Sequence, residues 1–291
     1  MQEERIVTQH PVKGVDHVFL LVEDLDRSRD QFARLGFTVS PRGLHSAHKG
    51  TANHTIMFEH DYLELLGIVA ETEANASRRA MIEKGGEGLY AVACRIDDAA
   101  RAERELKALG VGVGEPSDFQ RPVPRPDGSE GVAAFSTLMF EPSEVPIGIS
   151  FMCQHRTREM VWLPELLDHP NGAVALAGLV ASTDDPDATA AGFARLFAAG
   201  RVDPIDGGAR VATGSIPLDL LRLEALASRY PAFDVGATAQ GGWAAMQIAV
   251  RDTTATRTTL QNAGIAVVET LEGIAVAPAE ASGTIVEFVR A

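Results

Sequence analysis

A fourfold internal repeat constrains the fold of this chain more than any other feature of its sequence. Each copy contains an apolar strand-like run, one or two Asp residues, an amphipathic segment with helical spacing and a closing Gly. In three copies the Asp and the Gly are twelve positions apart, at Asp24 and Gly36, Asp98 and Gly110, and Asp252 and Gly264. An Asp can cap the free N–H groups at a helix start, and Gly can adopt the left-handed conformation that ends a helix. The repeat therefore predicts four short helices, the third of them longer and ending at Gly200.

Further strand-like runs follow each predicted helix. They are residues 37–40, 51–58 and 62–68 in the first copy, residues near 111–114, 131–140 and 147–153 in the second, VATG and LDLLRLEAL in the third, and IAVVE, GIAVAP and GTIVEFVRA in the fourth. Each copy is thus predicted to be a βαβββ module. One module leaves its sheet half covered, so we expect the first module to pair with the second and the third with the fourth.

Paired modules divide the chain into two domains, and its length of 291 residues with 45% apolar residues suits two cores of ordinary size. The predicted domains are residues 1–155 and residues 172–291. Residues 156–171 connect them with a mixed polar and apolar segment that includes Trp162 and two prolines. This composition favours a packed crossover rather than a flexible linker.

Charge and composition exclude several classes of function. A formal charge of −14 argues against nucleic acid as a partner, because phosphate binding requires clustered Lys and Arg. The longest apolar run, residues 173–181, is too short to cross a bilayer, and the start of the chain has no apolar signal core. We therefore expect a cytoplasmic protein whose partner is a small molecule, and the sequence is compatible with a homodimer. Cys94 and Cys153 lie in strand-like runs and are predicted to be buried free thiols without a function.

His17 and Glu64 form the clearest His and Glu pair on neighbouring strand-like segments. Alternation places His17, Phe19 and Leu21 on one face of the first strand, with the residues between them under the helix. His17 is either a metal ligand or a histidine satisfied within the core or cavity. Glu64 lies in the otherwise apolar run DYLELLGI, where an unpaired carboxylate is costly to bury. We therefore expect it to pair with a metal, a histidine or a donor on a ligand.

Other polar residues near this pair have two interpretations each. Asn53 and His54, in GTANHT, either contact a substrate or support a local turn. Tyr90 faces the same cavity if its strand alternates as predicted, and would orient a substrate there. His45 and His48, in GLHSAHKG, are either lid residues or exposed loop histidines, and the second interpretation is favoured. Neither a phosphate-binding loop nor a GxSxG elbow occurs in the sequence.

The βαβββ repeat, opened by DHVFLLVEDLDRS and closed by YLELLGI, resembles the vicinal oxygen chelate superfamily. That superfamily includes glyoxalase I, the extradiol dioxygenases and the bleomycin and fosfomycin resistance proteins. The segments GTANHTIMF, DYLELLGI and CQHRTREMVWLPELLDHPNGA are similar more narrowly to glyoxalase-like domain proteins. The resemblance covers nearly the whole chain. It implies an α+β fold of four βαβββ modules paired into two glyoxalase-like domains, each a cup-shaped mixed sheet with helices outside.

The resemblance also implies a metal site in the first cup. His17 and Glu64 match the two ligand positions of the first module, and the ion would be Zn, Fe(II), Mn, Co or Ni. The second module has no His or Glu at the corresponding positions, residues 89–91 and 149–151. His155, or His54, would then supply a third ligand. In the second domain only Glu287 stands at a ligand-like position, which implies a degenerate domain.

Two functions of different classes follow from this resemblance. The first is a metal-dependent lyase, isomerase or dioxygenase-type enzyme in which the ion chelates vicinal oxygens of a substrate. Here Glu64 is a metal ligand or, alternatively, the general base. The second is a metal-free protein that sequesters a small molecule in the same cup, in the manner of bleomycin resistance proteins. The incomplete ligand set keeps this second function open.

Overall fold

A computed structural model of the chain describes residues 9–124, 130–238 and 242–291. Residues 1–8, which include part of the start examined for a signal core, lie outside these ranges. The first sheet has the strand order β2-β3-β4-β1-β5-β8-β7-β6. Its strands are β1 (Val15–Val22), β2 (Gly43–Leu44), β3 (Thr51–Met57), β4 (Tyr62–Ile68), β5 (Gly88–Arg95), β6 (Ser117–Pro124), β7 (Glu130–Met139) and β8 (Ile149–His155), with helices α1 (Leu25–Arg34), α2 (Ala76–Gly85) and α3 (Ala99–Ala108).

The second sheet repeats this order as β10-β11-β12-β9-β13-β16-β15-β14. Its strands are β9 (Ala173–Ser182), β10 (Arg201–Ile205), β11 (Gly208–Ala212), β12 (Leu218–Leu221), β13 (Trp243–Val250), β14 (Val268–Glu269), β15 (Gly273–Val276) and β16 (Ile285–Arg290), with helices α4 (Pro186–Ala194), α5 (Leu223–Arg229), α6 (Val235–Thr238) and α7 (Thr253–Asn262). None of the helices in the described ranges is long and apolar enough to span a membrane.

The first and last strands of every module lie side by side. β1 pairs in parallel with β4, and β5 with β8, while β1 and β5 pair antiparallel at the centre of the sheet. The second sheet has the same arrangement, with β9 beside β12, β13 beside β16, and β9 antiparallel to β13. This topology confirms the predicted α+β fold of four paired βαβββ modules.

Helix caps follow the repeat closely. An Asp side chain caps α1, α3, α4 and α7, through Asp24, Asp98, Asp185 and Asp252. Gly36, Gly110 and Gly264 follow three of these helices with φ of 84°, 75° and 73°, the left-handed conformation expected there. The prediction for Gly200 is wrong, because the chain makes further turns after α4 and Gly200 does not adopt a positive φ.

A predicted strand differs in each of the first three modules. In the first module residues 37–40 form no strand, and the strand after the helix is β2. In the second module the strand after the helix is β6, whereas residues 111–114 contribute only a bridge from Val113 to Phe140. In the third module LDLLRLEAL is not one strand, since β12 ends at Leu221 and α5 begins two residues later. Short apolar runs do not distinguish a strand from a buried helix, and here Leu226 and Tyr230 are buried four positions apart on the helical segment. The helix α2 has no counterpart in the predicted module.

The two sheets share one apolar core between them. Phe37, which follows α1, stacks on Phe288 of β16 with ring centroids 6.0 Å apart. Asn171 in the connector donates through Nδ2 to the carbonyl of Leu35, and the backbone N–H of Leu176 in β9 donates to Asp61 Oδ1 at 3.0 Å. The connector is therefore packed, in agreement with its composition.

Asp61 makes this contact pH-dependent. The side chain is buried, and burial raises the pKa of Asp61 to about 6, although the Leu176 N–H favours the carboxylate. In an unfolded chain the pKa is about 3.9, so the folded state binds the proton more tightly and its stability increases as the pH falls from about 6 to about 4. We expect Asp61→Asn, which keeps the acceptor oxygen, to raise the free energy of unfolding by about 1–3 kcal/mol at about pH 8 and to leave it nearly unchanged near pH 4. Urea unfolding of both proteins at the two pH values checks this, and an equal effect at both would contradict it.

Candidate functional site

The inner face of the first sheet lines a cavity of about 390 Å³, at the small end of the range for ligand pockets. Strand alternation supplies His17 and Phe19 from β1 and Tyr62 and Glu64 from β4. The strands β6, β7 and β8 supply an aromatic wall of Phe119, Phe135 and Phe151. Phe119 and Phe135 stack with centroids 4.8 Å apart and an interplanar angle of 15°. The cavity thus has a flat apolar wall facing a group of polar side chains.

Glu64 is the centre of the polar group. Its Oε2 lies 3.8 Å from His17 Nε2, and its Oε1 lies 4.0 Å from His45 Nε2. Asn53 Nδ2 donates a hydrogen bond of 2.7 Å to Glu64 Oε1. A carboxylate oxygen and an imidazole nitrogen 3.8 Å apart can both lie about 2.0–2.2 Å from one ion, the usual coordination distance for these ligands. The pair of His17 and Glu64 therefore fits a divalent metal, with Asn53 orienting the carboxylate.

Asp16 fixes the orientation of His17. Its Oδ1 accepts hydrogen bonds from His17 Nδ1 at 2.9 Å and from His155 Nε2 at 2.8 Å, and Arg95 Nε lies 3.4 Å from Oδ2. Burial alone would raise the pKa of Asp16, but the hydrogen bonds from His155 and His17 hold it well below its usual range. Because the ionised carboxylate only accepts, His17 donates through Nδ1, and in the neutral ring Nε2 presents a lone pair to the cavity. Metal-ligating histidines in proteins are commonly held in this way.

His45 joins this site although the sequence interpretation favours an exposed loop histidine. The loop that holds it includes β2, and it folds back over β3, where His45 Nδ1 lies 2.7 Å from Thr51 Oγ1. Only 13% of its side chain is exposed. Burial lowers the pKa of His45, Glu64 opposes this, and Lys49, Arg121 and Arg78 lower it further. The ring is thus held toward its neutral form, which can ligate a metal. Strand periodicity cannot predict which way the side chain of a loop residue points. The only indication in the sequence is that His45 lies a few residues before the segment GTANHT.

The structure brings together three of the predicted site residues, His17, Glu64 and Asn53, and separates the others from them. His54 is on the opposite face of β3, where its Nδ1 bonds to the carbonyl of Ser40. Tyr90 donates its hydroxyl to the carbonyls of Met81 and Gly86, at 3.2 and 2.9 Å. His155 lies at the end of β8 and faces Asp16 rather than Glu64.

A second cluster with metal-ligand chemistry lies behind His17. Ligand atoms of Asp16, Cys153 and His155 lie within 4.8 Å of one another, the only such group found among the described residues. However, Asp16 already accepts two hydrogen bonds, and His155 Nε2 uses its proton for one of them. Burial also raises the pKa of the Cys153 thiol well above its ordinary value, which disfavours the thiolate that a metal requires. This cluster therefore supports His17, and both cysteines are buried free thiols as predicted.

In the described part of the second domain, α5 and α6 cover the matching face of the sheet. Leu226, Tyr230 and Val235 pack there against apolar residues of the sheet. Glu287, at the position in β16 that Glu64 has in β4, accepts hydrogen bonds from Tyr230 at 2.8 Å and from Gln247 at 2.9 Å. Its carboxylate is fully buried and satisfied within the protein. The ligand-like position of this half is consequently occupied by a structural contact.

The paired modules define a two-domain α+β protein that carries a His and Glu pair in its first cup. The sequence profile described as "Glyoxalase-like domain" matches residues 15–197, more than half of the chain, and the chain belongs to this family. A search of curated protein sequences gave no match.

Solved structures with the same fold are distant in sequence. A hypothetical protein from Staphylococcus aureus has a TM-score of 0.66 at 13% identity, and the match covers 95% of this chain and 99% of that one. A variant of homoprotocatechuate 2,3-dioxygenase from B. fuscum has a TM-score of 0.56 at 13% identity, covering 100% of this chain and 75% of that one. A xylose isomerase-like TIM barrel/4-hydroxyphenylpyruvate dioxygenase fusion protein has a TM-score of 0.55 at 15% identity, covering 90% and 40%. At such identities the likeness shows the fold alone.

Proposed function

We propose that this protein is a metal-dependent enzyme that acts on a small molecule with two adjacent oxygen atoms. The observation that carries the proposal is the convergence of His17 Nε2 and Glu64 Oε2 to 3.8 Å in the cavity, with the other ring nitrogen of His17 held by Asp16. We assign the active centre to the N-terminal domain, residues 1–155, and a degenerate role to residues 172–291. The reaction class is that of a lyase, an isomerase or an oxygenase.

His17, Glu64 and His45 would hold the ion, which would be Zn, Fe(II), Mn, Co or Ni. Two imidazoles and one carboxylate suit any of these metals and leave positions free for two substrate oxygens. When bound, the ion would supply Lewis-acid polarisation of those oxygens. His155 contributes through Asp16, which it helps to keep ionised and in place. In this assignment His155 positions a ligand and is not itself one.

The chain's own residues support proton transfer next to the ion. Glu64 is the one carboxylate lining the cavity among the described residues, and to accept a proton from bound substrate it would leave the ion and act as the general base. Asn53 holds Oε1 while Oε2 remains directed at His17. The aromatic wall excludes water from the opposite side and gives a planar substrate a surface to lie on. His54 and Tyr90, whose polar atoms bond to backbone carbonyls, would stabilise the strands that carry the site.

A metal-free sequestration protein is the second candidate. It is favoured by the position of Phe151, which lies on the cavity face of β8 where the second module would have to supply a ligand. An apolar wall of this kind binds a small aromatic compound without any ion.

Metal analysis separates the two functions. Protein purified without chelators and dialysed against each of the five metals is expected to hold one ion per chain, removable by a chelator, because His17 Nε2 and Glu64 Oε2 lie close enough to share an ion. The matched control is the double variant His17→Ala/Glu64→Ala, which is expected to hold none. If the wild-type protein takes up no stoichiometric ion under any of these conditions, the enzyme proposal is wrong and sequestration is supported.

A further inference from the structure

Three cationic side chains line the cavity. Lys49, Arg78 and Arg121 all face it, whereas Glu64 supplies its only carboxylate among the described residues. None of the three forms an ion pair with an acidic side chain that the structure describes, although most surface arginines of this chain do. The cavity therefore has an excess of positive charge in a protein whose formal charge is −14.

Each of these cations loses solvation where it lies. Burial lowers the pKa of Lys49, of Arg78 and of Arg121, and burial is the largest cause in every case. Arg78 Nε is buried and has no hydrogen-bond partner within the described part of the chain. A buried donor or charge without a partner costs free energy, so a cluster of three is unfavourable unless a ligand pairs with it. Such a cost is typical of a site shaped for a ligand rather than for stability.

Contacts locate two of these three cations, Lys49 and Arg121, within the cavity. Lys49 Nζ lies 3.6 Å from the centroid of the Phe119 ring, which stacks on Phe135. The side chain of Arg121, in β6, extends toward Asn53. If Gly43 carried a Cβ, that atom would lie only 3.2 Å from Arg121 Nη1. A Cβ on Gly43 would crowd this guanidinium and would overlap Asn53 Oδ1, so Gly43 leaves room for both side chains. The positive charge thus lies beside the polar group that contains Glu64.

We propose that the natural ligand of this cavity is a small planar aromatic compound that carries a carboxylate, with Arg78, Arg121 and Lys49 binding the carboxylate and the Phe119–Phe135 wall stacking on the ring. Guanidinium groups bind carboxylates through paired, charge-assisted hydrogen bonds, and a carboxylate conjugated to a ring is coplanar with it. The ring then lies on the flat wall while the charged group reaches the cations at its end. The inference rests on the cavity of the proposed enzyme and adds the chemical class of its substrate.

Binding of 2-naphthoate and of its neutral amide, 2-naphthamide, to chelator-treated protein tests the inference without any metal. We expect 2-naphthoate to bind about tenfold to a hundredfold more tightly, the range for charge-assisted hydrogen bonds, and to weaken as salt is added. Equal affinities for the two probes, or no detectable binding of 2-naphthoate, would overturn the inference. Since both titrations use the apoprotein, a failure of metal binding leaves their outcome unaffected.

Variants locate the effect. Arg78→Gln and Arg121→Gln are each expected to lower the affinity for 2-naphthoate about tenfold and to leave that for 2-naphthamide nearly unchanged. The control is Arg104→Gln on the exposed outer side of α3, for which both affinities should equal those of the wild type. Loss of affinity for both probes alike, in a variant that unfolds at the wild-type temperature, would mean that the arginines only maintain the shape of the cavity, and would contradict the inference.

Discussion

Replacing Glu64 by Gln is expected to abolish tight metal binding at the first cup. The substitution keeps the size of the side chain and an oxygen that can accept from Asn53, but it removes the negative charge that faces His17 at 3.8 Å. Three nearby cations then oppose a divalent ion without any compensation from a carboxylate in the cavity. The affinity should fall by more than the roughly 10–100-fold that changes around a ligand usually cost. Calorimetric titration of the chelator-treated variant with each candidate metal measures this effect.

The second sheet provides the matched control for that experiment. Glu287 occupies the same position in β16, but Tyr230 and Gln247 satisfy it and α5 covers it. Glu287→Gln is therefore expected to leave metal stoichiometry and affinity unchanged while lowering the free energy of unfolding by about 1–3 kcal/mol, the cost of disturbing a buried hydrogen-bonded charge. If Glu64→Gln binds metal as tightly as the wild type, Glu64 is not a ligand and the proposed centre is wrong.

The sequence predicts the scaffold of this site because local chemistry determines it. Alternation along β1 places His17 on the inner face, and a capping Asp with a left-handed Gly defines α1, so these elements follow from residues close together in the chain. The repeat then brings the strands of a module side by side. Glu64 next to His17 is a consequence of that topology.

The parts that sequence reasoning missed depend on contacts between distant residues or on irregular backbone. Regular alternation along β1 would place the side chains of Asp16 and His17 on opposite faces of the sheet. The pairing of β1 with β5 shifts register between Val15 and His17, and this irregularity brings the two side chains to the same side. His45 enters the cavity through a loop, which has no periodic pattern. The cover over the second cup was missed for a third reason, since the leucine-rich segment after β12 fits a strand as well as a helix until its packing is known.

Substitution of Asp16 by Asn should damage both stability and metal binding, because one buried carboxylate holds two histidines. Asp16 is 1% exposed and accepts from His17 and His155, with Arg95 beside it. Removing one partner of a buried charged network typically costs about 3–5 kcal/mol of unfolding free energy. Asn can also donate from its amide nitrogen, so His17 is no longer constrained to present Nε2 as a lone pair. Metal affinity is expected to fall about 10–100-fold as a result.

Comparison with His155→Gln separates the two roles of Asp16. That substitution removes one hydrogen bond to Asp16 but leaves the carboxylate and its bond to His17. We therefore expect His155→Gln to lower the free energy of unfolding by about 1–2 kcal/mol and to weaken metal binding much less than Asp16→Asn does. Urea unfolding and metal titration of both variants provide the two readouts. If His155→Gln weakens metal binding as strongly as Glu64→Gln, His155 itself ligates the ion and the positioning role proposed for it is wrong. If metal affinity falls strongly in Asp16→Asn alone, the Asp16 carboxylate is what orients His17.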